Sequence, residues 1–278
     1  MENATRKVKL QGSGLEFEVL AADTIIGPSI ERGSWEEHET RLFLAHLLPG
    51  ARVVDLGANV GWFTVHAILR GCEVHAFEPV PWIADVLERN ARAAERLGSG
   101  RAIVHRAAAG SARGTARIAL ASANFGDNRL LDAAAGRPAD MGAGRELEIA
   151  VERVDDHVRG PVRVLKIDTQ GSEWHALQGA RALLDASPAV ALLLEFWPYA
   201  LRGGTPEQLL AFLHEQGFKI GKATAAPYPM GAERILRQAR ARDPVKGGLD
   251  LYGTRGLPFH VGGALDYARS QWRSWREA

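Results

Sequence analysis

Four carboxylates in this 278-residue chain, Asp55, Glu78, Asp168 and Glu195, stand at or next to the end of a short apolar run. Asp55 lies in Arg52-Val53-Val54-Asp55-Leu56, Glu78 follows Glu73 to Phe77, Asp168 follows Val162 to Ile167, and Glu195 follows Val190 to Leu194. A carboxylate in such a place can accept hydroxyl protons, pair with a cation, or take a proton from a reacting hydroxyl. The runs behind them read as buried strands, bounded by glycine and proline. In an open α/β sheet the ligand lies beyond the carboxyl ends of the strands, so all four groups fall on one rim. One such placement would be unremarkable; four are harder to assign to chance.

The segment after Asp55 narrows the choice of ligand. Gly57-Ala58-Asn59-Val60-Gly61 has glycines where the backbone must turn closely under a bound group. Trp62 to Arg70 follows, with Phe63, Ala67 and Ile68 at helical spacing and Gly71 as a C-terminal stop. Strand, glycine loop and helix open a nucleotide-binding βαβ unit. A dinucleotide loop would read Gly-x-Gly-x-x-Gly, which brings pyrophosphate to a helix N-terminus. Here Asn59 takes the third position, and Asp55 just upstream would repel pyrophosphate while receiving a cation. S-adenosylmethionine carries an ammonium and a sulfonium and no phosphate, so the loop favours it over NAD. Glu78 is placed to accept both ribose hydroxyls, with Pro79 beside it. Ala107 and Ala108, in Arg106-Ala107-Ala108-Ala109-Gly110, are small enough for an adenine ring to lie against the backbone.

Composition excludes several classes. Hydrophobic residues make up 46% of the chain, enough for one α/β domain with appendages. Lys+Arg number 34 against 33 Asp+Glu, a balance that argues against nucleic acid as partner. The single Cys72 rules out an internal disulfide framework and a cysteine-built zinc site, and its setting reads as a small buried residue. No stretch reads as a signal peptide, and the longest apolar run, Ala189 to Leu194, is too short to span a membrane. A cytoplasmic protein with a small-molecule partner is expected, either monomer or homo-oligomer.

The elements that must position these groups follow in chain order. Residues 1–34 alternate and turn as a β-hairpin cap, and Ser34 with Glu37 forms a capping box for the next helix. Pro79 to Leu97 is a helix with Ile83, Val86, Leu87, Ala91 and Ala94 on its apolar face. Ala102 to His105, Ala116 to Leu120 and Glu146 to Val151 are strand-like, the last two flanking a Gly/Ala-rich interval over 133–144. After Asp168, Thr169-Gln170-Gly171-Ser172 turns into a helix carrying Trp174, Leu177, Ala180 and Leu184. Asp155-Asp156-His157 reads as a turn or cap. Thr205-Pro206-Glu207-Gln208 is a second capping box, Glu233 to Arg242 a surface helix or lid, and 254–278 a helical tail.

These blocks resemble the FkbM family of S-adenosylmethionine-dependent methyltransferases. The matching residues are Val54 to Trp62, Ala76 to Pro79, Leu165 to Glu173 and Leu194 to Pro198, in family order over 35–253. The resemblance implies a Rossmann-like class I methyltransferase domain. Its sheet would be doubly wound, mostly parallel and seven-stranded, with one antiparallel strand near an edge. It also implies O-methylation of a hydroxyl on a sugar or secondary metabolite. One departure stands out: the family usually has glutamate where this chain has Gln170. On this reading Asp55, Gly57, Asn59, Gly61, Glu78, Pro79, Ala107, Ala108 and Asp168 hold the cofactor.

For transfer itself, Asp168 is the first candidate to take the acceptor's proton or to orient it, and His175 the second. Phe125, Glu195 and Trp197 are expected against the acceptor, since aromatic faces suit a sugar ring and exclude water. Asp168, Glu173 and Glu195 are hard oxygen ligands, but their spacing is unremarkable and no metal is expected. A DNA or RNA amino-methyltransferase would carry Asn/Asp-Pro-Pro-Tyr/Phe where Asp168-Thr169-Gln170-Gly171 stands. Two alternatives remain open: an inactive S-adenosylmethionine-binding protein, and methyl transfer to nitrogen or carboxylate.

Overall fold

The computed structural model describes residues 4–10, 13–33, 35–121, 124–131, 144–244 and 247–259. Strands β1 (Thr5–Leu10) and β2 (Leu15–Leu20) pair antiparallel, with Val8 opposite Phe17. Helices α1 (Ile26–Glu31) and α2 (Glu37–His46) follow. Next come β3 (Arg52–Leu56), α3 (Trp62–Leu69), β4 (Glu73–Phe77), α4 (Pro81–Glu95) and β5 (Arg101–His105). A group of short strands then appears: β6 (Ala108–Ala109), β7 (Gly114–Ala119), β8 (Arg129–Leu130) and β9 (Glu146–Glu152). The chain continues through α5 (Val154–His157), β10 (Val164–Ile167), α6 (Glu173–Gly179), α7 (Arg181–Asp185) and β11 (Val190–Phe196). The last described elements are α8 (Pro206–Glu215), β12 (Lys219–Lys222), α9 (Ala232–Arg240) and β13 (Leu249–Arg255).

Seven strands form one sheet in the order β12-β13-β11-β10-β3-β4-β5. The pairs β11/β10, β10/β3, β3/β4 and β4/β5 are parallel, and β13 runs antiparallel to both of its neighbours. The order reverses between β3 and β10, so a crevice opens beyond their carboxyl ends. Side chains alternate along each strand, and neighbouring residues feed different cores. Val53, Val74, Ala76 and Val164 pack with α3 and α4, whereas Val54, Leu56, Phe77, Leu165 and Ile167 pack with α6 to α8. Strands buried on both sides are near-continuous apolar runs, as these are. The strands β6-β9-β7-β8 form a separate sheet over the crevice's outer side.

Several local expectations need correction. Helix α2 starts at Glu37 after Glu36 in the left-handed region (φ 45°), two residues later than a cap at Ser34 would place it, and Glu36 makes no side-chain cap. The helix after Asp168 is two helices that meet at Ala180. Its break has a cause: Gly179 lies against the Gly110 carbonyl, and the Asp155 carboxylate accepts from the N–H groups of Ala182 (3.1 Å) and Leu183 (2.9 Å). A fresh helix start is thereby capped from a distant element. The box at Thr205 is present in both halves, with Gln208 as its partner. Ser34, residues 133–143 of the Gly/Ala-rich interval, and the tail from 260 onward lie outside the described residues.

Candidate active site

The crevice is built from the glycine loop upward. Gly57 has φ +78°, and a Cβ there would collide with the carbonyl oxygen of Asp168 at the end of β10. Only glycine allows these two strand ends to come so close. Gly57 and Ala58 both donate their N–H to the Phe77 carbonyl at 3.0 Å, tying the loop to β4. Asn59 is left-handed (φ 50°), which asparagine tolerates by bonding locally, and its Oδ1 accepts from Val60 N at 2.7 Å. Its Nδ2 donates to the Phe125 carbonyl at 3.2 Å. Gly61 (φ +97°) starts α3 with Leu87 packed where a side chain would be.

Glu78 is only 5% exposed and lines the crevice. It accepts from Asn59 N (3.1 Å) through Oε2 and from Val80 N (2.9 Å) through Oε1. Burial pushes its carboxyl up to about 7, against the pull of those two N–H groups. The crevice, with the open solvent at its mouth, spans about 540 Å³, with Pro79, Ala108, Ala109, Ile118 and Leu130 as its apolar side and Gly57, Asn59 and Asp168 as its polar side. Phe125 also lines it. Ala107 is buried and does not face the crevice, so the small-residue wall is Ala108 and Ala109.

Asp55 is placed differently from the expectation. It is fully buried beneath the loop and lines no cavity of the crevice, with Oδ2 accepting from the Thr64 hydroxyl at 2.7 Å. Its Oδ1 has no hydrogen-bond partner among the described residues, and burial raises its carboxyl above the ordinary range. Glu173, at 0% exposure, shapes the turn after β10. Its Oε1 accepts from Thr169 N (3.1 Å), the Thr169 hydroxyl (3.1 Å) and Gly171 N (2.9 Å).

Asp168 stands at the junction of this crevice and a second, larger hollow of about 820 Å³. The two share Gly57, Asn59, Gly126, Asp168 and Gln170. Lys166, 6% exposed, donates from Nζ to Asp168 Oδ2 at 3.2 Å and sits 4.7 Å from the centre of the Phe63 ring. Gln170, left-handed at φ 52°, donates from Nε2 to Asp168 Oδ1 at 2.7 Å. Glu195 lies inside β11 rather than past its end, and faces the second hollow together with Glu36, Asp250, Trp35 and Trp62.

Two expected residues are elsewhere. Trp197 lines neither hollow: it is 4% exposed, donates from Nε1 to the Pro244 carbonyl at 3.0 Å and lies under the Arg129 guanidinium at 4.3 Å. His175 faces a separate recess beside Ser111, whose hydroxyl is 3.4 Å from Nδ1, away from Asp168's two cavities. The physical reason is helical geometry: α6 begins at Glu173, so His175 points to a different side from the strand end. Lys166, Glu36 and Asp250 were not singled out by sequence. Lys166 was the available signal, a lone cation inside a strand otherwise apolar.

A family model described as the methyltransferase FkbM domain matches residues 55–220. A curated relative, 31-O-demethyl-FK506 methyltransferase FkbM of Streptomyces tacrolimicus, is 29% identical over 247 residues, covering 76% of this chain and 84% of that protein. Among solved structures, a methyltransferase FkbM from Methylobacillus flagellatus KT has 21% identity and a TM-score of 0.44, covering 73% of this chain and 43% of the other. Magnesium protoporphyrin IX methyltransferase from Synechocystis PCC 6803 has 13% identity and a TM-score of 0.44, covering 84% of each chain. This chain belongs to the FkbM methyltransferase domain family. It is a methyltransferase that uses S-adenosylmethionine.

The crevice fits that cofactor on its own terms. Its buried carboxylate, Glu78, keeps lone pairs free to accept hydroxyls, its small and aliphatic side can take a flat ring, and its polar side is acidic, which suits a cation and repels phosphate. In the described residues no group of three His, Cys, Asp or Glu is arranged to hold a metal ion.

Proposed function

We propose that this enzyme methylates a hydroxyl of a small molecule, with Asp168 as the group that orients the acceptor and takes its proton. The observation that carries the reading is the position of Asp168, on the wall shared by the crevice and the larger hollow. When bound, S-adenosylmethionine supplies an activated methyl on a sulfonium. Glu78 would hold the ribose end and the Gly57–Gly61 loop the opposite end, with Ala108 and Ala109 against the adenine. Phe125 would contribute to the adenosine side as well, since it lines that crevice.

Asp168 is suited to the role because both its oxygens are fixed by donors. Lys166 and Gln170 each take one lone pair, leaving one on each oxygen for an acceptor hydroxyl. Holding the acceptor in line can lower the barrier by roughly 7–11 kcal/mol in favourable cases, and a placed base adds about 10²–10⁴-fold. The curated relative, named for action on 31-O-demethyl-FK506, supports oxygen as the acceptor atom. Near-neutral net charge supports a small molecule over nucleic acid. Separate cores fed by alternate strand residues support a doubly wound sheet with β1 and β2 as its cap.

Asp168→Asn tests the reading. The amide keeps the shape and cannot take a proton, so turnover should fall by about 10²-fold or more with affinity for S-adenosylhomocysteine retained. Near wild-type turnover in a folded variant would leave Asp168 a structural residue.

A further inference from the structure

The larger hollow has a charge pattern that says what it takes. Four carboxylates face it: Glu36 before α2, Asp168 after β10, Glu195 on β11 and Asp250 on β13. Lys166 is the cation that lines it, and that ammonium is already bonded to Asp168. Glu195 and Asp250 are directly opposed across the antiparallel β11/β13 pair, a like-charge placement that weakens a sheet. Glu195 Oε2 is shielded from solvent and has no hydrogen-bond partner among the described residues. Burial, followed by the nearby carboxylates of Asp168, Glu173, Asp250 and Glu36, holds the Glu195 carboxyl well above the usual range. Trp35 and Trp62 supply flat apolar wall beside these acids.

We infer that this hollow binds an acceptor carrying a protonated amine, of the amino-sugar or aminocyclitol class, with Glu195 and Asp250 as the groups that recognise the ammonium. The inference rests on the reading that the hollow beyond Asp168 takes the methyl acceptor. A neutral sugar hydroxyl could bond to Glu195 Oε2 but does nothing to stabilise an ionised carboxylate that burial and its acidic neighbours disfavour. An ammonium does both, with three donors for several carboxylate oxygens. Tryptophan faces beside the acids suit both a ring's C–H face and a cation. A divalent metal is the competing cation, and the described side chains offer no ligand set for one.

Calorimetry on the full chain saturated with S-adenosylhomocysteine provides the test. The probes are methyl β-D-glucosaminide and 2-deoxystreptamine, against methyl β-D-glucoside and the N-acetylated glucosaminide, with magnesium chloride as a separate arm. The amines should bind at least about tenfold more tightly than their neutral counterparts, a difference of about 1.4 kcal/mol. Glu195→Gln and Asp250→Asn should each remove most of that preference while S-adenosylhomocysteine binds as before. Equal binding of charged and neutral probes, no binding of either amine, or displacement of the amines by magnesium would each overturn the inference. Loss of S-adenosylhomocysteine binding in the unmodified chain would instead strike at the cofactor crevice beneath it.

Discussion

Gln170 donates its side-chain amide to Asp168 Oδ1 at 2.7 Å, while Lys166 reaches the other oxygen of the same carboxylate. The family's usual glutamate at this place would set carboxyl against carboxyl, and two such groups at hydrogen-bond distance share a proton. With glutamine the contact is donor to acceptor, and Asp168 stays an acceptor. The departure that could be taken as a sign of lost catalysis is thus compatible with an intact site.

Gln170→Glu should therefore move the acid limb of the pH–turnover profile upward, by about one unit or more, and depress turnover more at pH 6 than at pH 8. Steady-state rates across that range read the shift. A profile identical to wild type would mean that residue 170 does not act through Asp168.

Glu78 carries a prediction about cofactor affinity. Its carboxyl is pushed up to about 7 by burial, so the free protein is partly protonated there at neutral pH. Ribose hydroxyls donate to the ionised form, so binding should tighten between pH 6 and pH 8 and release a proton. Glu78→Ala should weaken binding by about 1.5–3 kcal/mol and flatten that dependence. Calorimetry in buffers of different ionisation enthalpy measures both; normal binding by the variant would take Glu78 away from the ribose.

Turnover should persist after thorough chelation. Glu173 Oε1 already accepts three hydrogen bonds within its own turn, and Lys166 holds one side of Asp168. Loss of activity with EDTA and recovery with magnesium would show that the acidic rim binds a metal after all.

Stability in acid should depend on a pair of histidines. His75 Nδ1 and His105 Nε2 are 3.0 Å apart, and the His105 ring stacks on Phe77 at 4.3 Å. Burial, with His157 and His75 nearby, lowers His105 to about 4. A depressed histidine contributes stability that is complete above its unfolded value near 6.5 and is lost as pH falls through about 4. His105→Phe, which keeps the stack, should make the melting temperature less sensitive to pH between 6.5 and 4. An unchanged slope would place the acid sensitivity in other groups.

Much of this arrangement was legible in the amino-acid order, and the rest was hidden for identifiable reasons. The loop from Gly57 to Gly61 could be read because backbone turns demand particular residues, and Glu78 because it follows a short apolar strand. The box at Thr205 was local and therefore visible. Asp55 and Glu173 could not be told apart from Asp168, because burial beneath a turn and exposure to a cavity look alike in a string of letters. Asp250 reaches the site only through the register that sets it opposite Glu195, a long-range pairing. Trp197 was misplaced since its neighbour Glu195 points to the hollow while it packs under Arg129.

Residues 55–220 supply every lining residue of the cofactor crevice, whereas Trp35, Glu36 and Asp250 of the larger hollow come from the flanks on either side of that stretch. The proposed acceptor end therefore draws part of its wall from outside the stretch that matches the family model. On the proposed reading, substitutions at Trp35, Glu36 or Asp250 would alter which acceptor is admitted without touching the wall of the crevice proposed for the methyl donor.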